Sequence, residues 1–308
     1  MSRLSSLRIV DPVLTNLAIG YTNAEFIANY LFPMVDVPKE GGKIPKFSKE
    51  AFRLYKTLRA IRAKSNRINP EGLQDIDIIL DEHDLEYPID YREEFEAAFP
   101  LEAHATNTVT EGIQLGREKF VADLVQTASN YAANNQIALS GTDMFDNDSS
   151  DPIDIVEGGR EQIRSQIGRY PTVMQIGPVV FKALKKHPAI LDRIKYTQRA
   201  VITEEILASV FEMDKVVVGK AVMEDDDGSM QDIWGNFIQL AYVPKQRTGQ
   251  DRSAFEPSFG YTLRREGSCQ VDTRIEDNKL ELVRCTDIYR PYLLGNDAGF
   301  LISNCVTD

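Results

Sequence analysis

Three histidines, three cysteines and a run of carboxylates are the residues of this chain whose types could do chemistry. His83, His104 and His187 are the only candidates for an imidazole base or zinc ligand, and none pairs with a Cys or carboxylate at metal-ligand spacing. Each reads as an incidental surface or boundary histidine. Cys269, Cys285 and Cys305 are odd in number and lack CxxC spacing, which predicts free thiols in a reducing compartment. Gly219-Lys220 lacks the upstream glycine and the Ser/Thr of a phosphate-binding loop, and no GxSxG elbow occurs. Asp225-Asp226-Asp227-Gly228 has the composition of a calcium loop without its alternating spacing or distal Glu, and predicts a solvated turn. The ten carboxylates from Asp75 to Glu96 are too many and too evenly spaced for one general acid/base pair. A sheet face or a partner surface explains them better. The expectation is no catalytic site, no metal and no cofactor. A soluble acidic enzyme using the Asp/Glu-rich segment stands as the rival from another class.

The elements that would position any such residue are written in charge and in period. The chain has 308 residues, 43% hydrophobic and 27% charged, enough apolar material for one large core or two smaller ones. It has no run of about 18 apolar residues of the kind that crosses a membrane, so no membrane partner is expected. The start MSRLSSLRIVDPV lacks the apolar run of a signal peptide. From Lys49 to Arg67 there are seven basic residues and one acid, and from Ile68 to Glu96 there are eleven acids and one Arg. Blocks of like charge mark disorder or an interaction surface. Here the acidic block also alternates. Ile76, Ile78 and Leu80 share one parity, then Leu85, Tyr87, Ile89 and Tyr91 share the other. Period two predicts half-buried strand, and the parity shift predicts a bulge near Asp81–Asp84. With a turn at Asn66–Gly72, residues 43–98 read as a long β-hairpin with a basic outgoing limb and an acidic return limb.

Before the hairpin, residues 1–42 read as an arm. Its apolar residues sit in short pieces split by Pro33, Pro38 and Gly41-Gly42, so it builds little core of its own. A short helix is expected between Tyr21 and Leu31, capped by Thr22 or Asn23. Deleting residues 1–40 is accordingly expected to leave a folded subunit. After the hairpin, apolar residues at three- and four-residue steps predict a helix over Asn107–Leu139, with Thr108 or Thr110 as its cap. The acidic loop Thr142–Pro152 suggests a boundary. Helices are expected at Ile153–Ile167, Val179–Lys186, Ala189–Tyr196 and Thr203–Phe211, and strands at Thr172–Ile176, Lys215–Val222 and Phe237–Val243. From Phe259 the pattern is strand, with a tight turn at Asp277-Asn278.

Residues 14–53 then carry a resemblance. Asn16-Leu17-Ala18-Ile19-Gly20-Tyr21, Leu31-Phe32-Pro33, Val35, Val37, Gly42-Lys43, Phe47 and Ala51-Phe52 resemble the N-terminal region of tailed-bacteriophage major capsid proteins. The order of arm, charged hairpin, long helix, α/β domain and closing strands is similar, over essentially the whole chain, to the Hong Kong ninety-seven-type capsid fold, an α+β architecture. The resemblance implies an N-arm (1–42), an extended loop reaching over a neighbour (43–98), a peripheral domain with a spine helix (99–150 and 251–308) and an axial domain (151–250). It implies a shell subunit without catalytic site or cofactor. Such subunits assemble through hexamers and pentamers, usually with scaffolding and portal proteins and in some cases a cement protein. The shell forms in the host bacterial cytoplasm and encloses double-stranded DNA in the virion. With the arm motif within twenty residues of Met1, a separate scaffold is expected rather than a fused one. An encapsulin-like nanocompartment is the alternative within the same fold. A net charge of −12 suits a shell that contains DNA rather than gripping it. The unbalanced hairpin nominates Arg53, Lys56, Arg59, Arg62, Lys64, Arg67, Asp75, Asp77, Asp81 and Glu82 as intersubunit contacts. Some relatives cross-link through Lys and Asn side chains. Lys56, Lys64 and Asn66 lie on the loop, but the sequence supplies no geometry for such a bond.

Overall fold

The computed structural model describes residues 10–21, 23–45, 54–67, 75–195, 202–225, 227–246, 252–254 and 256–307. Asp11 starts α1 (Pro12–Gly20). Its carboxylate accepts from the N–H groups of Val13 (2.7 Å) and Leu14 (3.0 Å), with Pro12 at the first helical position. A single turn, α2 (Ala28–Leu31), follows and stops before Pro33. The helix expected over Tyr21–Leu31 is corrected accordingly: the Asp-Pro cap places the helix earlier.

Next comes β1 (Met34–Val37), which pairs in parallel with β11 (Gly260–Arg265). Leu31 and Phe32 are fully buried, and the Phe32 ring meets Phe259 edge-on at 5.5 Å. Gly260 lies directly against that ring, where a Cβ would come within 2.3 Å of it. The arm expected to stand outside the core is therefore corrected at Ile27, Ala28, Leu31, Phe32 and Val35, which are buried in the subunit's interior.

The expected hairpin is half present. Its root is an antiparallel pair of β2 (Gly41–Pro45) and β3 (Asp75–Ile79). The basic residues 54–67 form no strand. They turn instead at Ala60–Ala63, closed by the Ala63 N–H to the Ala60 carbonyl (3.1 Å), with Arg62 at φ 67°. The expected turn at Asn66–Gly72 lies mostly outside the described residues. The acidic return limb changes partner at Leu80, whose N–H reaches the Glu40 carbonyl (2.9 Å). Beyond it, β4 (Asp81–Asp90) pairs antiparallel with β13 (Leu280–Leu293). The parity shift expected to be a bulge is thus a switch of sheet. A capping box of Asp90 and Glu93 then opens α3 (Tyr91–Glu96).

The long helix α4 runs over Leu101–Gln126, about 39 Å at 1.5 Å per residue, rather than over Asn107–Leu139. Thr106, Thr108 and Thr110 do not cap it. Their hydroxyls bond back to the carbonyls of Glu102, His104 and Thr106 inside the helix. Its end is set by side chains that take the last-turn carbonyls: Asn130 on Leu124 (2.8 Å) and Tyr131 on Val125 (2.9 Å). Two short 3₁₀ turns then lead to β5 (Gln136–Ala138).

α4 spans two layers. Ala105 and Val109 pack with α1 on the first sheet, in which β13 pairs antiparallel with β4, β11 and β12 (Gln270–Glu276). Asp277 and Asn278, both at positive φ, turn β12 into β13 as expected. Val121, Ala122 and Val125 pack instead into the larger core. That core surrounds a second sheet in the order β5, β14 (Gly299–Ser303), β10 (Phe237–Ala241), β6 (Val173–Ile176), β7 (Lys215–Val218). β14 thus lies in the second sheet, away from the other closing strands. The surrounding helices α5 (Pro152–Ile167), α6 (Pro178–Leu184), α7 (Pro188–Ile194) and α8 (Glu204–Val210) fall where the sequence predicts them. The Lys215–Val222 strand is divided at Gly219, where a Cβ would come within 2.2 Å of Trp234, and resumes in a hairpin of β8 (Val222–Glu224) and β9 (Met230–Asp232).

Candidate functional site

The described histidines are held by packing and hydrogen bonds. His187, expected at the surface or at a boundary, is buried. Its Nδ1 accepts the Ala189 N–H (3.2 Å), so in the neutral ring Nε2 carries the proton. Nε2 then donates toward Ser150 Oγ (3.0 Å) and the Asn147 carbonyl (3.2 Å). In that tautomer the ring cannot take the Ser150 proton, and the pair is a structural tie rather than a nucleophile and its base. His83 stacks on Tyr289 at 4.2 Å, and His104 stands edge-on to Tyr87 and Phe99. The three cysteines are free and buried. Donating a hydrogen bond to Cys269, together with burial, pushes the Cys285 thiol up and draws Cys269 down, and burial raises Cys305. Lys220 pairs with Glu204 (3.3 Å) rather than crowning a phosphate loop. The Gly228 N–H meets the Asp225 carbonyl (2.8 Å) between β8 and β9, with Gly228 at φ 77°.

The nominated contact residues fall into two groups. On the acidic side, cations of the same chain stand opposite much of the charge. Lys43 lies 3.7 Å from Asp77, Arg290 3.4 Å from Asp81, and Arg284 3.6 Å from Asp84 and 2.9 Å from Asp272. Arg274 meets Glu86 at 3.0 Å. Glu82 is exposed on β4, and Asp75 is the first residue of β3. Of the nominated acids, Asp77 is met by Lys43 across β2–β3 and Asp81 by Arg290, which lies some two hundred residues away in the sequence. On the basic side, Arg53 lies outside the described residues. Lys56, Arg59, Arg62, Lys64 and Arg67 are exposed, and among the described residues none of them has a carboxylate partner. Between them stand Leu54, Leu58 and Ile61, 97%, 95% and 93% exposed. Asn66 donates to the carbonyls of Lys56 (2.7 Å) and Leu58 (3.2 Å), which fastens the two limbs of this strap together.

Sequence reasoning missed the residue that fixes the arm. Glu118, on α4, is fully buried. Its carboxylate accepts the N–H groups of Ile27 (2.9 Å) and Ala28 (2.8 Å) and the indole N–H of Trp234 (2.7 Å). Burial raises its pKa, against the pull of those three donors. Beside it, a cavity of about 150 Å³ is lined by Tyr21, Asn23, Arg117, Arg264, Asp287 and the Cys269–Cys285 pair. Arg117 Nε and Asp287 Oδ1 are buried there without hydrogen-bond partners among the described residues. Burial raises the Asp287 pKa and lowers that of Arg117.

The N-terminal segment is clamped, a long helix crosses two sheets, and the strap carries exposed aliphatics and cations that have no carboxylate partner among the described residues. This is the architecture of the Hong Kong ninety-seven-type shell subunit. A crystal structure of a phage-related protein from Bordetella bronchiseptica RB50 superposes with a TM-score of 0.82 at 32% identity, over 97% of this chain and 98% of that one. The capsid subunit of a native GTA particle shares the fold at a TM-score of 0.60 and 13% identity, over 93% and 92% of the two chains. The chain belongs to the phage major capsid protein E family, whose model matches residues 19–258. It is 61% identical to the major capsid protein of Burkholderia phage BcepMu, across 98% of this chain and 99% of that protein.

Proposed function

We propose that copies of this chain assemble through hexamers and pentamers into the icosahedral head of a tailed phage. The observation that carries this reading is the end-to-end 61% identity to a phage major capsid protein. The encapsulin-like alternative shares the fold and lacks that support. The first sheet with α1 and α4 serves as the peripheral domain, and the second sheet with α5 to α8 as the axial domain whose loops meet around the capsomer centre. Residues 41–80 act as the extended loop, narrower than the 43–98 read from the sequence because β4 pairs in the first sheet. The strap at 54–67 lies on a neighbouring copy, with Lys56, Arg59, Arg62, Lys64 and Arg67 as its contacts. Arg53, Asp75 and Glu82 remain in the proposed interface, and Asp77 and Asp81 contribute less because each already has a cation. Scaffolding and portal proteins take part in assembly in the host cytoplasm, and the shell encloses double-stranded DNA without reading its sequence. The test is particle mass by light scattering with electron microscopy of the same purified sample. Capsomers, sheets or shells are expected. Small discrete oligomers under every condition would sink the proposal.

A further inference from the structure

Two of the three thiols stand together beneath α1. In the β12–β13 ladder Gln270 is opposite Thr286 and Val271 opposite Cys285. Cys269, one residue before β12, is therefore the diagonal neighbour of Cys285. Both cysteines pack with Val271 and with Leu14 and Ala18 of α1 in one apolar cluster. Diagonal Cα atoms of a regular ladder lie about 7–8 Å apart, at the limit of a disulfide's reach. Cys269 departs from the ladder. Its φ is 64°, a left-handed backbone that a non-glycine residue keeps only where its surroundings demand it. The two thiols meet in a hydrogen bond, and the Thr110 hydroxyl reaches Cys285 Sγ at 3.9 Å. α1 is fastened over the pair by the Asp11 N–H to the Val271 carbonyl (2.9 Å) and the Val271 N–H to Thr15 Oγ1 (3.0 Å). The cavity of about 150 Å³ beside Glu118 reaches both cysteines. A water molecule needs only about 10–15 Å³ of such volume, so a reagent little larger than water has room at the pair. The hydrogen bond from Cys285, helped by Arg264 and Arg117 in the cavity wall, holds the Cys269 thiol below its ordinary value, against burial and the charge of Asp287.

We propose that Cys269 and Cys285 form a modification site, at which a small peroxide closes an intrachain disulfide. Cys269 is the attacking residue and Cys285 the resolving one. The Cys269 thiolate attacks one oxygen of hydrogen peroxide. The O–O bond breaks, and hydroxide leaves and takes up the thiol's proton to become water. Cys269 is then a sulfenic acid. The Cys285 sulfur attacks the Cys269 sulfur, the S–S bond forms and the S–O bond breaks. The hydroxyl leaves as water with the Cys285 proton. Two thiols are oxidised and one peroxide is reduced to two waters. The bond ties the start of β12 to the middle of β13 directly under α1, and a reducing compartment keeps it open. Cys305 belongs to the larger core, where its thiol donates to the Ile302 carbonyl (3.4 Å), and serves as the internal control.

The test is a hydrogen peroxide titration of the full chain in its native fold, quenched with a thiol-alkylating reagent and read by peptide mass spectrometry. A peptide pair joined through Cys269 and Cys285, lighter by two hydrogens, is expected at doses that leave Cys305 a free thiol. The oxidised subunit is expected to melt about 5 °C higher, because the cross-link closes the loop 269–285, and dithiothreitol is expected to reverse the shift. As a second arm, Cys285→Ser is expected to stop at the sulfenic acid on Cys269, trapped by dimedone, with no rise in melting temperature. Cys269→Ser is expected to leave Cys285 a thiol at the same doses, which separates the attacking residue from the resolving one. The first arm needs no variant and stands where a serine substitution fails to fold. A native chain that forms no joined pair, while the same chain unfolded in urea does, would overturn the proposal. Joined pairs that include Cys305 as often, or sulfinic acid on Cys269 with no joined pair, would overturn it too.

Discussion

Glu118 holds three donors that have no other acceptor among the described residues, so its removal is more costly than that of an ordinary helical glutamate. Glu118→Ala orphans the N–H groups of Ile27 and Ala28 and the indole of Trp234. At about 1–3 kcal/mol for each buried group left unsatisfied, a loss of about 3 kcal/mol or more is expected. Glu118→Gln keeps an acceptor oxygen and is expected to lose less. Urea denaturation of the unassembled subunit measures both, and equal losses would argue against the hydrogen bonds as the cause. The residue was half legible. A lone glutamate reads as surface, yet Thr106, Thr110, Glu118 and Ala122 fall on one four-residue row, and all four are buried. Asp287 gave no such signal, because its burial comes from α1 and α4 closing over a strand distant in sequence. Its pKa is raised by burial, which outweighs the opposing pull of Arg264, Arg117 and His83. A raised folded pKa means that the folded state holds the proton more tightly. That contribution is present below the usual carboxylate range, near pH 4, and is lost as pH rises through the folded value. Asp287→Asn is therefore expected to gain on the wild type as pH rises across that window. Parallel thermal melts of the two proteins from pH 4 upward check it, and a constant difference would show that the charge carries no penalty.

At the scale of elements, the N-terminal segment divides at Ile27. Beyond it, Leu31 and Phe32 are buried to the last atom and β1 completes the first sheet beside β11. Truncating a buried Leu costs about 2–5 kcal/mol and a Phe about 3–5, while a whole domain holds only about 5–15. Deleting residues 1–40 removes both side chains and the strand, and is expected to leave an unfolded chain rather than a soluble subunit that cannot assemble. Phe32→Ala alone is expected to lower stability by about 3–5 kcal/mol and leave a folded protein. A soluble, cooperatively melting 1–40 deletion would return the whole segment to the status of an arm. The sequence concealed this because its apolar pieces are short and split by prolines, and each is completed by a distant partner: Phe32 by Phe259 and Gly260, Val35 by Leu263. Where burial follows local period, as in α5, the pattern was readable residue by residue; along β4 only Ile89 of the expected face is buried, and Leu85 is exposed. The limits of α4 were not, since Asn130 and Tyr131 end it by folding back onto its carbonyls while the apolar spacing runs on.

At the scale of the whole molecule, the strap decides between charge and apolar surface as the force of assembly. Exposed ion pairs contribute about 0–1 kcal/mol each. Burying an aliphatic side chain that was open to water contributes about 1.5–3 kcal/mol. Leu54, Leu58 and Ile61, nearly bare in the subunit, therefore outweigh the five described cations beside them. The charges set register and suppress wrong contacts. Replacing the three aliphatics by serine is expected to abolish assembly. Arg59→Ala with Arg62→Ala is expected only to weaken it, and Arg59→Glu with Arg62→Glu to impair it far more, because acid would then face acid. All three variants act on residues outside the subunit core, so subunit stability is expected to move by no more than about 0.5 kcal/mol. Salt separates the two forces further. Raising ionic strength from 0.1 to 1 M shortens the screening length from about 10 Å to about 3 Å. It weakens the charge term and leaves the apolar one, so wild-type assembly is expected to decline with salt without disappearing. Light scattering across a salt series, run beside the three variants, measures both. Assembly that vanishes at high salt, together with a serine variant that still forms shells, would reverse the ranking and make the strap an electrostatic device.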